Sequence, residues 1–430
     1  PEEDHEQKSC IFRFFQKLMY NSKELTDYLI DNSILENICS TLYDENIPDK
    51  DKVPPVRCIH YIARYGNPLK IFDTLSITCK KETRRLSPFE CMLDLILDQN
   101  QKQDPNDTLA EIRKCCGPSF EEDDTMKLRY LILKFLVAVL NEDSIPRYPA
   151  DEIVNHIIDY TIQYHESVIT KEISPLKFLD TAAFGCFLAA FNKHTKLCFL
   201  NAFKKKNCIM CFINILDNNK DYPHITPSIL LCLKGIVDDF PREANNFYKY
   251  NIIEHIKNHI VSDKHPVVCE NAIQTIISFL QTDTPEDKKY HENIIEEGIP
   301  EILYENLAIA CFSVKIASLL GIYEIIQNLG VTEVWDFITK FNEIFERCCS
   351  LLQTELDYES LSIVTHTASI LASAYNNAGE NEKLLEIVQN NEIHESIDNY
   401  FLSDADMKTQ SLAIQLKRII NLEDEGDIET

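Results

Sequence analysis

A glycine or asparagine set against an isoleucine-led apolar stripe returns along this chain at nearly constant spacing. No other feature limits the available folds as tightly. The occurrences are Asn207-Cys208-Ile209, Asn251-Ile252, Gly298-Ile299, Asn342-Glu343-Ile344 and Asn391-Glu392-Ile393, with the Gly/Asn positions 44, 47, 44 and 49 residues apart. A helix that ends on a residue in the left-handed conformation takes Gly there most readily and Asn next, because a Cβ clashes in that region. The stretch "IIEEGIPEILYENL" at 294–307 shows the corner most fully: Glu296-Glu297 close a helix, Gly298 breaks it, and Glu301-Ile302-Leu303 resume a helical pattern.

The segments after the corners repeat as well. After Asn251, Ile252, Ile253, Ile256 and Ile260 lie at helical spacing. Ser262-Asp263 then supply a cap and Pro266 a helix start, ahead of a longer and more apolar segment to Leu280. The last copy runs Ile393, Ile397, Phe401, then Ser403-Asp404-Ala405-Asp406, then Met407 to Ile420. After Gly298 the long segment carries Val314, Ala317, Gly321, Ile325 and Leu329, and the small residues at Ala317 and Gly321 are expected to let a neighbouring helix approach closely. A short helix and then a long buried one is the pattern a stacked array requires, since each unit buries the face that its neighbour cannot bury alone.

The first half repeats the same scheme less regularly. Asn32-Ser33-Ile34-Leu35 heads a stripe and Pro54 to Tyr65 reads as its long second helix, across a polar loop at about 44–52. Helices are further expected at Pro88–Leu97, Thr125–Leu140, Asp151–Tyr164 and Pro175–Phe191, with a polar, acidic insertion at about 99–124. The chain thus divides into a disordered acidic N-terminus (1–8), an irregular array (9–200), a more regular one (201–421) and an acidic tail (422–430). About eight units are expected in all.

The segments 294–330 and "NIIEHIKNHIVSDKHPVVCENAIQTIISFL" (251–280) resemble armadillo repeats, with HEAT repeats close to them. That family has a Gly-Ile-Pro corner between its first and second helices and a Ser-Asp loop before the long third helix; Pro285 to Glu297 would then be a first helix. The likeness is close over 200–430 and loose over 20–200. It implies an all-α, right-handed superhelical solenoid whose concave face, lined by third helices, holds an extended peptide or a partner surface. It also implies that this chain departs from the nuclear import adaptors, which grip basic signals with a Trp/Asn ladder, because the only tryptophan, Trp335, falls outside any third helix.

Composition agrees with a helical chain. Of 430 residues 45% are hydrophobic, and only 9 are glycine and 17 proline, few for hairpins or nucleotide loops. The formal net charge of -27, from 42 Lys+Arg against 69 Asp+Glu, opposes binding to nucleic acid or anionic membrane and favours a basic or mixed-charge protein partner. No signal-like segment or apolar run of about 20 residues is present, and a start at Pro1 rather than Met suggests trimming or processing. The 16 cysteines lie largely within apolar helical runs, as at Cys186, Cys198, Cys232, Cys269 and Cys311. They read as buried thiols in a reducing compartment, the cytoplasm or the nucleus.

Catalytic chemistry finds no signature. His255 and His259 share a helical face and their spacing suits zinc, but Ile256 stands where a zincin has its glutamate. Cys208 and Cys211 form a C-x-x-C without a second pair at matching spacing, and helical patterns flank them where a redox site has a strand. Core packing is the simpler reading of both, so no catalytic, cofactor or metal residues are assigned. Lys204-Lys205-Lys206, with Lys193 and Lys196 nearby, is the densest basic run and reads as an exposed corner, although it could meet a phosphate or an acidic partner. Aromatic side chains anchor interfaces, and the third-helix candidates are Tyr61, Tyr65, Tyr323 and Tyr375. The expectation is a non-catalytic scaffold or adaptor, with a cytoskeletal regulator, a transport adaptor and a zinc-binding protein as alternatives.

Overall fold

The computed structural model describes residues 2–19, 22–32, 34–43, 47, 54–55, 57–59, 61–62, 133, 136–137, 140, 147–169, 176–218, 225–261, 265–282, 287–354, 356–390, 392–402 and 407–420. Among the described residues all regular structure is helical and no strand occurs. The chain forms two compact units, Pro1–Gly235 and Ile236–Thr430.

In the first unit α1 (Glu2–Met19), α2 (Lys23–Asp31) and α3 (Ile34–Tyr43) pack in succession. Helix α1 begins at Glu2, within the acidic segment 1–8. Ser22 caps α2 by accepting from the Leu25 amide at 3.3 Å. Further along come α4 (Arg147–Ile169), α5 (Leu176–Phe191), α6 (Lys196–Lys205) and α7 (Cys208–Asn218), and α8 (Ile225–Asp239) runs across the boundary at Gly235. Helix α4 packs on α5, α6 and α7. Its inner face, Ile153, Val154, Ile157, Ile158 and Tyr160, is buried together with Leu179, Ala182, Ala183 and Cys186 of α5. The expected helix at Asp151–Tyr164 is therefore the middle of a longer one. Of Thr125–Leu140, the described Leu133, Leu136, Val137 and Leu140 are helical and buried. Pro88–Leu97, the insertion at 99–124 and the tail at 422–430 lie outside the described residues, as does the loop at 44–52 apart from Ile47.

The second unit is four consecutive three-helix repeats. A 3-10 turn at Pro241–Glu243 leads into α9 (Ala244–Tyr248), α10 (Ile252–Lys257) and α11 (Pro266–Leu280). Next are α12 (Asp287–Glu296), α13 (Ile299–Ile309) and α14 (Phe312–Ile326), then α15 (Val331–Lys340), α16 (Ile344–Ser350) and α17 (Tyr358–Asn377). The last are α18 (Asn381–Asn390), α19 (Ile393–Leu402) and α20 (Met407–Ile420). Each long helix begins where its sequence allows: Pro266 occupies the first turn of α11 and Asp357 caps α17, accepting from the Ser360 amide at 2.8 Å. Ser262 and Asp263 lie outside the described residues, and His265 stands at the cap of α11.

The third helices α11, α14, α17 and α20 pack one on the next, and each second helix packs on the third helix of its own repeat. Gln281, at the end of α11, donates to Glu324 of α14 at 2.7 Å, and Ser313 at the start of α14 donates to Glu270 of α11, so the two helices run parallel. The second helices are also joined between repeats. Buried Asn306 of α13 donates to the Ile260 carbonyl at 3.0 Å, and Arg347 of α16 donates to the Tyr304 carbonyl at 3.0 Å while its guanidinium lies 3.8 Å from the Tyr304 ring centroid. Gly321 of α14 lets neighbouring helices approach closely: a Cβ there would stand 3.0 Å from Leu303 and 3.6 Å from Ile273.

Three of the five expected corners are left-handed at the expected residue, one is left-handed a residue later, and one is not left-handed. The left-handed residue is the one directly before the second helix: Asn207 (φ 52°), Asn251 (φ 51°), Gly298 (φ 72°) and Glu392 (φ 51°). At the last corner the strained position thus falls to a glutamate, while Asn391, expected to fill it, lies outside the described residues. In the repeat between, neither Asn342 nor Glu343 is left-handed, and Glu343 enters α16 at φ -99°.

Candidate functional site: the third-helix ridge

The row of third helices presents an apolar edge. Val267, Phe312, Tyr358 and Met407, each in the first turn of a successive third helix, are 62%, 44%, 42% and 84% exposed. Lys408 of α20 reaches over the Tyr358 ring at 5.9 Å, which places neighbouring helix starts side by side. Further along the helices, half-buried Tyr323 of α14 lies 6.2 Å, ring to ring, from His366 of α17. His366 Nδ1 is in turn 3.2 Å from Ser362 Oγ. Ile316 and Leu320 of α14, Ile363 and Ile370 of α17, and Ile414 of α20 add partly exposed apolar surface. A row of large apolar groups in water, interspersed with polar ones, is the chemistry of a contact surface.

The four tyrosines expected on such a ridge fare differently. Tyr323 is on it. Tyr61 is helical and half-buried in the first unit, and Tyr65 lies outside the described residues. Tyr375 is a correction: it is fully buried, because α15 sets Trp335 edge-on at 5.4 Å and α16 sets Phe345 at 6.2 Å from its ring. Burial, with Glu346 and Glu380 adding to it, raises the Tyr375 phenol above its ordinary value. Sequence reasoning missed Val267, Phe312, Tyr358 and Met407. The signal was their phase: Val267, for example, falls outside the buried stripe of Val268, Cys269, Ala272, Ile273 and Ile276.

Of the histidine and cysteine candidates, His259, Cys208 and Cys211 are buried. His255 is in α10, whereas His259 lies in the turn beyond its end and is buried. Cys208 and Cys211 face the core at 2% and 8% exposure, and Cys211 Sγ is 3.9 Å from the Thr161 carbonyl. Burial, ahead of the neighbouring charges, pushes the Cys208 thiol up to about 12, which keeps it protonated and a poor nucleophile or ligand. Among the described residues no group of three His, Cys, Asp or Glu is arranged to hold a metal, and no helix is long and apolar enough to cross a membrane. The adjacent Cys348 and Cys349 of α16 are both buried.

No family model matches the chain, and no curated protein does. Solved structures match it. An engineered protein from a structural genomics consortium superposes with a TM-score of 0.56 at 13% identity, over 97% of this chain and 96% of that one. Kap121p bound to RanGTP superposes with a TM-score of 0.53 at 12% identity, over 97% of this chain and 36% of that one. A designed armadillo repeat protein matches 61% of this chain and 99% of its own, with 12% identity and a TM-score of 0.45. The chain has the armadillo/HEAT-type helical-repeat fold.

Proposed function

We propose that this protein is a non-catalytic scaffold or adaptor that binds a partner protein, or an extended peptide of one, along its third-helix ridge. The observation that carries this reading is the recurrence of an exposed large apolar side chain in the same first turn of four successive third helices. A solvated residue in isolation calls for no explanation, whereas a line of them across a rigid row is costly to leave in water. Kap121p shares the fold and is bound to RanGTP in its structure, which supports a protein ligand for an array of this kind. The net charge of -27 favours a basic or mixed-charge partner over nucleic acid or anionic membrane. The described cysteines are free thiols, most of them buried, in keeping with a reducing compartment such as the cytoplasm or nucleus.

A photo-crosslinking side chain placed at Phe312, Tyr358 or Met407 should capture the same partner, whereas one at Ile295 on α12 should not. Retention of that partner by a Phe312→Asp/Met407→Asp double variant would remove the ridge from the binding surface. A salt titration of the captured complex separates the driving forces: loss at moderate salt indicates cations held by the acidic surface, and persistence indicates apolar contact.

A further inference from the structure

The first unit carries a cleft of about 540 Å³ whose charge opposes that of the whole chain. One wall is the start of α4, with Asp151 and Asn155. The other is the α5–α6 corner and α6, with Lys193, His194, Leu197, Asn201 and Lys205. From residue 193 to residue 206 there are lysines at 193, 196, 204, 205 and 206 and a histidine at 194, with no aspartate or glutamate, in a chain where acids outnumber bases 69 to 42.

The walls are held in place by contacts that leave Lys193 and Lys205 at the opening. Lys206 pairs with Asp159 at 2.6 Å and donates to the Asn155 carbonyl at 2.9 Å, which ties the end of α6 to α4 and neutralises that carboxylate. At the corner, Asn192 donates to the Leu140 carbonyl at 3.0 Å and accepts from the His194 amide at 2.9 Å, while fully buried Thr195 donates to the Ala189 carbonyl at 2.8 Å. Lys193 and Lys205 are exposed at the cleft and make no ion pair among the described residues. Leu197, 53% exposed, supplies an apolar patch between them and the corner, and Asn201 offers an exposed amide.

We propose that this cleft binds a short acidic peptide segment of a partner protein, with its carboxylates against Lys193 and Lys205 and an apolar side chain on Leu197. The two lysines act as separate point charges, which suits carboxylates spaced along a peptide. Asp151 on the opposite wall repels an anion there, so a ligand with all its charge concentrated at one point fits less well than a peptide whose carboxylates lie along one side. The exposed Asn201 amide suits the backbone of such a segment, while the Asn155 amide already donates to the Asp151 carbonyl at 2.7 Å. A chain of net charge -27 repels polyanions at long range, which selects short acidic segments over nucleic acid.

The test is fluorescence anisotropy on the full chain, using a labelled peptide of alternating Asp/Glu and Leu and the same peptide with Gln and Asn in place of the acids. The acidic peptide should bind and weaken as salt rises; the neutral one should bind about ten-fold more weakly or worse. Lys193→Glu/Lys205→Glu should lose about ten-fold in affinity with unchanged helicity, and Lys193→Gln/Lys205→Gln a smaller amount, as expected for exposed charge pairs. Lys383→Glu, on α18, should bind as the parent does, and Leu197→Ser should weaken binding at every salt concentration. The proposal is overturned by equal binding of the neutral peptide, by full affinity in both lysine variants, or by complete competition from millimolar inorganic phosphate.

Discussion

At the scale of single residues, backbone conformation and burial settle most outcomes. Four corners carry a left-handed residue, but only one of them carries glycine: Gly298, against Asn207, Asn251 and Glu392. A non-glycine side chain in that region costs about 1–2 kcal/mol, partly relieved for asparagine by its local hydrogen bonding. Glu392→Gly should therefore raise stability by up to about 1 kcal/mol and Gly298→Glu lower it by about 1–2 kcal/mol. Chemical denaturation of both variants checks this, and a stabilised Gly298→Glu protein would contradict the corner assignment. His165 offers a second case. It is 4% exposed, and burial lowers its pKa from the ordinary 6.5. Its neutral form is favoured in the folded chain, so its contribution to stability is complete above pH 6.5 and is lost as pH falls from there through the lowered folded value. The denaturation midpoint should fall on going from neutral pH to mildly acidic pH, and His165→Asn should flatten part of that fall; an unchanged profile would assign the effect to other groups.

At the scale of elements, close packing between repeats decides which substitutions are tolerated. Gly321 of α14 sits against Leu303 of α13 and Ile273 of α11, at 3.0 Å and 3.6 Å from where its Cβ would be. Two further methyl groups beyond that Cβ have no room, so Gly321→Val should cost about 1–3 kcal/mol. A denaturation curve for that variant overlying the parent's would show that the helices separate more easily than the geometry indicates. The ends of α5, α11, α19 and α20 were legible from stripes, prolines and capping residues, because those signals act within a few residues of one another. The length of α4 was not: its first turn, Arg147 to Ala150, contains Pro149 and no apolar stripe, and only packing on α5, α6 and α7 brings it into one helix.

At the scale of the whole molecule, stability is local. A repeat array gains its stability from neighbouring contacts, and the chain divides into two compact units, so a single cooperative transition is not expected. Trp335, the only tryptophan, lies in the second unit against Tyr375, and its fluorescence reports the loss of that packing alone. Helical circular dichroism reports both units. The two denaturation curves should separate, and superimposable curves would show that the units unfold together.

The periodicity of the sequence was enough to determine an all-α repeat chain, the approximate repeat length and the placement of most helix starts in its second half. These come from local chemistry: left-handed corners, prolines in first turns and apolar spacing near 3.6 residues. Tertiary structure alone decided which apolar groups face water. Tyr375, read as an interface residue of a third helix, continues the buried stripe of Ala368, Leu371 and Ala372, and Trp335 and Phe345 cover it; Val267, Phe312, Tyr358 and Met407 stand where the row of helix starts leaves them open. Periodicity names the faces of one helix, but burial depends on where the neighbouring helices end. The same limit applies to the cationic cleft, since Lys193 and Lys205 are brought to one opening only by the packing of α6 on α4.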